Sequence, residues 1–462
     1  MTIDILPDDV LLEMFDYYQH EALELDDIEG WQTLVHVSRK WRWVVFDSPR
    51  RLNLQLLCSE RTHTRETLII WPPLPIVIMV SGYNLSGCNE DDIIAAFEHH
   101  DRVREIDLSG VPSSLLEKLL AATQEPFPAL TTLEISAEDD KAATIPDSFL
   151  GGFAPNLKTL RLNRIPFPFP ALRKLFSSTT DLVTLNLFEI PHSGYFSPEA
   201  MVTCLPALTS LETLRLGFQS PRSRPYHENR RPHPSTRTLL PALRWLTFTG
   251  VSEYLEDLVA RIDVPLLDSL DMTFFHQLIF DTPQLTELIS HSGRRQKDES
   301  LNEARVFFSN ERVLVWLSEP IDSGLEVGVL CRQSDWQLSA AAQVCSSSFP
   351  QAFIPTVEHL YIRETRSLLW WQDDIESSQW LELLHPFTGV KDLFLSQIFA
   401  SHVAPVLQEL IFEGGNGVLP SLQTIHLEGL QPSGVVPKAV EQLVTTRHIS
   451  GHSIAVIPWD GF

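Results

Sequence analysis

Residues 155–187 read PNLKTLRLNRIPFPFPALRKLFSSTTDLVTLNL. Leu157, Leu160 and Leu162 near its start and Leu182, Leu185 and Leu187 at its end share one spacing, apolar-x-x-apolar-x-apolar. The spacing predicts two strands, and the stretch Pro170 to Ser177 between them predicts a short helix. A strand, a loop, a helix and a loop in so few residues cannot bury their own apolar face. Such a unit needs copies of itself on either side.

The copies are there. The pattern returns as Val103-Ile106-Leu108, Leu130-Leu133-Ile135, Leu211-Leu214-Leu216, Leu243-Leu246-Phe248 and Leu267-Leu270-Met272, then as Val357-Leu360-Ile362, Val390-Leu393-Leu395 and Leu422-Ile425-Leu427. Helical stretches are predicted between them at Ser113–Thr123, Ser197–Leu205, Ser252–Ile262, Pro283–His291, Ser377–His385 and Val436–Arg447. Pro128, Pro155, Pro241 and Pro420, each two residues before an apolar position, stop the preceding segment and force an extended entry. This plan resembles the leucine-rich repeat, which implies an α/β solenoid with one parallel strand per repeat on a concave side and helices outside. The repeats are irregular, and the Asn or Cys usual in such repeats is mostly missing, so an uneven horseshoe is expected. Between 273 and 356 the motif is absent. Val306-Phe308, Val313-Val315-Leu317 and Leu325-Val327-Val329 alternate instead with a period of two, which predicts an inserted antiparallel hairpin or meander over 305–331 that thickens the solenoid or supplies a binding loop.

The N-terminal stretch has a different rhythm. In residues 5–57, Pro7 suits the first turn of a helix, and Asp8 and Asp9 favour its positive end. Val10, Leu11, Met14, Phe15 and Tyr18 follow at helical spacing, and after an acidic break Leu34, Val37, Trp41, Val44 and Val45 repeat it until Pro49. About fifty residues bury too little surface for a roomy core, so part of this apolar surface is shared with the rest of the chain or with another polypeptide. The order Leu6-Pro7-Asp8-Asp9-Val10-Leu11, then Leu34, Val37-Ser38, Trp41-Arg42, Val45 and Ser48-Pro49 is similar to the F-box. The linker is longer and more acidic than usual, and Ser38 stands where many members carry Cys. That resemblance implies a three-helix module docking on the adaptor subunit of an SCF-type ubiquitin ligase, and through it on cullin, by way of Leu6, Pro7, Asp8, Val10, Leu11, Met14, Leu34, Val37 and Trp41. The plainer alternative is a helical cap on the repeats. The domains expected are the module at 5–57, a connection with the first repeat at 58–100 and the repeats at 101–450.

Charge and cysteine content exclude several classes. The chain has 462 residues, with 35 Lys plus Arg against 60 Asp plus Glu and a net charge of -25. That disfavours nucleic acid and anionic membrane surfaces as partners. Its five cysteines are odd in number and widely spaced, which suits reduced thiols. The N-terminus has neither a basic nor an apolar leader region, and the apolar run Leu68–Val80 is broken by prolines; a cytoplasmic or nuclear protein is expected. Residues 1–30 carry acids and no Lys or Arg, whereas Arg39, Lys40, Arg42, Arg50, Arg51, Arg61 and Arg65 follow. Solvated faces or steering toward a partner of reverse pattern both account for this bipolarity.

Few motifs suggest chemistry. Gly451-His452-Ser453-Ile454-Ala455 imitates a nucleophile elbow, but no His follows it. Gly414-Gly415-Asn416-Gly417 lacks the Lys-Ser/Thr of a phosphate loop, and no histidine spacing, His99-His100 included, fits a metal. No catalytic residue, metal or cofactor is therefore expected. The proline-rich loop 220–241 carries Arg222, Arg224, Arg230, Arg231 and Arg237 against Glu228; it is either a plain surface loop or an arginine cluster for acidic or phosphorylated peptides. Trp370, Trp371 and Trp380 are either a contact patch or packing. Strand positions between the repeat leucines, Glu134, Arg161, Asn186 and Arg215, are placed by geometry to meet a protein target, with Arg230 and Arg231 as loop candidates. The expectation for function is a non-catalytic substrate receptor of an SCF-type ligase whose protein target is unspecified. The alternative is a leucine-rich-repeat scaffold tied to no ligase.

Overall fold

The computed structural model describes residues 5–24, 30–59, 62–82, 90–138, 143–222, 237–277, 279–291, 302–318, 324–364, 376–412, 418–430, 436–449 and 453–460. Packing divides the chain into two compact units, 1–196 with 207–211, and 197–206 with 212–462. No sequence feature marked that boundary.

The first unit begins with α1 (Asp8–Glu24), α2 (Gly30–Val35) and α3 (Arg39–Asp47). Leu11 and Phe15 of α1 meet Trp31, Leu34 and Val35 of α2 and Trp41, Val44 and Val45 of α3 in one core. Phe15 and Trp41 lie with ring centroids 4.8 Å apart. Ser38 caps α3, its Oγ accepting from the Trp41 N–H at 3.2 Å, the contact that satisfies an otherwise orphaned donor. The charge bipolarity is used inside the module. Lys40 pairs with Asp8 at 3.2 Å and Arg51 with Asp16 at 2.8 Å. The same core takes in Leu52, Leu54 and Leu56, and the Trp31 indole N–H donates to the Gln55 carbonyl, so the helices are seated on the first strand.

From there β1 (Leu56–Ser59), β2 (Ile76–Ser81), β3 (Val103–Val111), β4 (Thr132–Ala137), β5 (Thr159–Asn163) and β6 (Thr184–Ile190) pair in sequence order, all parallel. The helices α4 (Thr64–Ile70), α5 (Glu90–Phe97), α6 (Ser113–Ala121) and α7 (Phe169–Phe176) lie between strands. The repeat's central apolar residues Ile106, Leu133, Leu160 and Leu185 fall in direct register and are buried. One residue after each entry leucine, Thr131 and Lys158 send their N–H to the carbonyls of Arg104 and Thr131, one repeat back. Apolar spacing and backbone bonding thus repeat together.

The second unit holds α8 (Pro198–Cys204), β7 (Thr213–Phe218), β8 (Thr238–Leu239), β9 (Trp245–Gly250), α9 (Ser252–Val259), β10 (Ile262–Asp263), β11 (Ser269–Phe275) and α10 (Pro283–His291). After these come β12 (Glu303–Phe308), β13 (Arg312–Ser318), β14 (Gly324–Leu330), α11 (Ser334–Gln343), β15 (His359–Glu364), α12 (Ser377–Leu384), β16 (Asp392–Leu395), α13 (Gln397–Phe412), β17 (Thr424–Glu428), α14 (Lys438–Ile449) and β18 (Ala455–Trp459). All seven helices expected between repeats form. Its main sheet runs β7, β9, β11, β14, β13, β12, β15, β16, β17, β18, and β8 pairs with β10 apart from it.

The antiparallel insertion is real and lies within the sheet. β13 is antiparallel to both β12 and β14, and because the order of the three is reversed, the flanking pairs β11–β14 and β12–β15 stay parallel. Val306, Val313, Val315, Leu317 and Val327 are buried like the repeat leucines, so these strands extend the sheet rather than thickening it or leaving it as a loop. Trp380 is buried against Phe308 and Phe399, which settles it as packing; Trp370 and Trp371 lie outside the described residues. No described helix is long and apolar enough to cross a membrane.

Candidate binding surfaces

The apolar stripe of α1 divides in two. Leu11 and Phe15 face the core, whereas Val10, Met14, Tyr17 and Tyr18 face outward, with Met14 42% and Tyr17 76% exposed. At 100° per residue, positions 11 and 15 share one side and 10, 14 and 18 stand beside it. The nine adaptor-facing residues expected from the sequence are sorted accordingly. Leu11, Leu34 and Trp41 are interior and hold the three helices together. Pro7, Asp8, Val10, Met14 and Val37 are exposed. Leu6 is half-buried, its carbonyl accepting from the Lys40 ammonium at 2.5 Å. That bond, with the Lys40–Asp8 pair, brings the starts of α1 and α3 together, where Ile5 and Val37 are exposed; Trp43, further along α3, is 59% exposed.

On the sheet of the first unit, alternate side chains point away from the leucines. Met79, Asp107, Glu134, Arg161 and Asn186 form one row, each in direct register with the next. Arg161 reaches Glu134 at 3.0 Å. The Asp107 carboxyl titrates above its ordinary range because burial penalises its charge; Glu134 adds to this, and a hydrogen bond from Ser109 works against it. The amide oxygens of Asn163 and Asn186 are buried without a partner. Three of the expected target-facing residues, Glu134, Arg161 and Asn186, therefore stand together, while Arg215 belongs to the other unit.

In the second unit the corresponding row runs Arg215, Thr247, Asp271, Glu326, Trp316, Arg305, Tyr361, Phe394 and His426. From Trp316 onward it is a ladder of flat groups. The Arg305 guanidinium lies 5.2 Å from the Trp316 ring and 5.3 Å from that of Tyr361, and pairs with Glu303. Tyr361 stacks on Phe394 and Phe394 on His426. Trp459 crosses nearly perpendicular to Phe394, with the Arg363 guanidinium 4.9 Å from its ring. Arg363 also pairs with Glu428 at 2.6 Å, and Asp392 with His359 at 3.0 Å. Burial raises the Tyr361 hydroxyl, and Glu303 adds to it. The sequence reading missed this ladder. Its signal was the middle letter of the repeat pattern, Leu360-Tyr361-Ile362, Leu393-Phe394-Leu395 and Ile425-His426-Leu427.

The remaining candidates separate cleanly. Arg224, Arg230 and Arg231 lie outside the described residues; Arg222 is exposed and Arg237 is held by Gln284 and Glu287. Gly414 to Gly417, Gly451 and His452 also lie outside them. Among the described residues no group of three His, Cys, Asp or Glu could hold a metal ion. Cys58, Cys204, Cys331 and Cys345 are unbridged and buried, and burial pushes the Cys345 thiol up to about 12, far from a nucleophile's range.

No family model matches the chain, and no curated protein does. Solved structures similar to it include the following two. The leucine-rich repeat-containing protein LegL7 from Legionella pneumophila is 14% identical at a TM-score of 0.27, over 86% of this chain and 98% of that one. The Rad7 and Elc1 complex in yeast is 12% identical at a TM-score of 0.28, over 94% of this chain and 92% of that one. Scores this low decide nothing about function, and the fold rests on the register of the strands themselves.

Proposed function

We propose that the chain is a substrate receptor of an SCF-type ubiquitin ligase, docking on the adaptor through its three N-terminal helices and holding a protein target on its sheet. The observation that carries this reading is the division of α1. Leu11 and Phe15 turn into the module's core, while Val10, Met14, Tyr17 and Tyr18 line its outer side, an apolar surface of the kind that marks protein contacts. Val10 stands within the stretch Leu6 to Leu11 that is similar to the F-box, and Met14 follows it one helical turn later. The reading assigns no bond chemistry to the chain. Tethering a target beside a charged ubiquitin carrier replaces a dilute encounter with a high effective concentration.

The test is co-purification of the full chain with the adaptor, comparing it with Val10→Asp plus Met14→Asp. Both residues are exposed, so the thermal melt should be unchanged while adaptor binding falls below detection. Failure of the intact, folded chain to bind adaptor overturns the reading and leaves a repeat scaffold tied to no ligase.

A further inference from the structure

β1 opens the sheet of the first unit and β18 ends that of the second, and among the described residues each has one neighbour, β2 and β17. A strand paired on one side only presents N–H and C=O groups to any extended chain that meets it. On β1 most of those groups are bonded within the chain. The Leu56 N–H donates to the Pro75 carbonyl beside β2, so by alternation Gln55, Leu57 and Ser59 turn their backbone groups the other way. There the Gln55 carbonyl accepts the Trp31 indole N–H at 2.9 Å. The Thr62 hydroxyl accepts from the Ser59 N–H at 2.8 Å and donates to the Ser59 carbonyl at 3.1 Å. Two side chains thus stand in for a further strand.

β18 has a sequence that invites pairing. Ala455-Val456-Ile457-Pro458-Trp459 carries no charge, and Ile457 is 42% exposed, the composition of a strand that adds to another. The Ala455 N–H donates to the Gln423 carbonyl at 2.9 Å, and the Trp459 carbonyl accepts from the Gly429 N–H at 3.2 Å. Residues 455, 457 and 459 therefore bond to β17, and 456 and 458 turn their backbone to the open side. Residue 458 is the proline, and it is exposed. Its nitrogen points away from β17, so it removes no bond from the existing ladder. It leaves Val456 as the one residue of the strand with an N–H on the open side. A second copy of β18 related by a two-fold axis through Val456 would run antiparallel, with Pro458 opposite residue 454. Both bonds donated from position 458 would be absent, and the two pyrrolidine rings would stand where those hydrogens belong. We propose that Pro458 closes the edge of β18 to strand addition by a second copy of the chain and so holds the chain monomeric.

The experiment is gel filtration of the full chain with light scattering over a range of concentrations. No adaptor is present, so the outcome is independent of adaptor docking. Pro458→Val restores the outward N–H and adds exposed apolar surface. Pro458→Val plus Val456→Pro keeps that surface and moves the missing donor to position 456, so a two-fold pair again lacks two bonds. Expected is a monomer for the unaltered chain and for the double variant, and for Pro458→Val an apparent mass that rises about twofold with concentration, as a two-fold dimer forms. Pro458→Ala, which restores the N–H with little added bulk, should follow Pro458→Val, and thermal melts show that each variant is folded. A folded Pro458→Val and Pro458→Ala that both stay monomeric overturn the proposal. So does association of the double variant as strong as that of Pro458→Val, which would point to apolar contact instead of backbone bonding, and so does self-association of the unaltered chain.

Discussion

Phe394 and His426 stand face to face on β16 and β17, ring centroids 4.1 Å apart and planes 9° from parallel. Tyr361 covers the other side of Phe394 at 4.1 Å and 12°. Phe394 is therefore the middle plate of three, and its removal breaks both contacts. An aromatic pair contributes about 0.5–1.5 kcal/mol beyond area burial. Phe394→Leu, which keeps most of the apolar volume, should lose about 1–3 kcal/mol in urea denaturation. His426→Leu, which breaks one contact, should lose about half as much. Equal losses would show that the stack is incidental.

Gly324 and Trp316 make a second such relationship across β14 and β13. A Cβ at Gly324 would lie 2.2 Å from the Trp316 Nε1, so the glycine is needed because the indole lies over it. Gly324→Ala must displace that ring, and with it the surface on which the Arg305 guanidinium rests. Overpacking of this sort costs about 1–3 kcal/mol. Tryptophan emission should shift as the indole moves, and a variant with unchanged emission and stability would refute the contact.

The paired carboxylates give a pH dependence of definite sign. Burial, then the neighbouring acid, raises Asp107 above its ordinary 3.8 and Glu326 above 4.5. For groups raised by folding, the folded state binds more protons than the unfolded. Their contribution is fully present below the unfolded values and is lost as pH rises through the folded ones. Asp107→Asn and Glu326→Gln should each stabilise the chain at pH 7, by about 0.2–1 kcal/mol for a relieved like-charge pair. The gain should vanish below the ordinary values. Melts across that range decide it; a gain that persists in acid would point to packing instead of charge.

What was legible in the sequence follows from what repeats. Ile106, Leu133, Leu160 and Leu185 are interior in every copy, so their spacing declared the strands, and the period-two run within 305–331 declared the antiparallel ones. The outward residues between them share a place in the repeat but no common residue type, so the pattern that marks the strands does not mark them. Tyr361, Phe394 and His426 are separated by about a repeat in sequence, and only the register makes them touch. The two sides of the α1 stripe are not told apart in the sequence for a related reason. Val10-Leu11 and Met14-Phe15 are adjacent apolar pairs, and sequence alone does not say which member of each pair turns inward.

The division within those pairs makes the final prediction. Leu11 is buried among Phe15, Trp31, Leu34 and Trp41, and Val10 beside it is exposed. Leu11→Ala should cost about 2–5 kcal/mol through the cavity it leaves, whereas Val10→Ala should stay within about 0.5 kcal/mol, as surface changes do. Ser38→Ala provides a calibrated intermediate, since loss of the α3 cap contributes about 0.5–2 kcal/mol. Denaturation of the three variants, followed by emission of the buried Trp31 and Trp41, orders them. A Val10 variant as unstable as the Leu11 one would mean that the outer stripe is core, and would remove the surface on which adaptor docking depends.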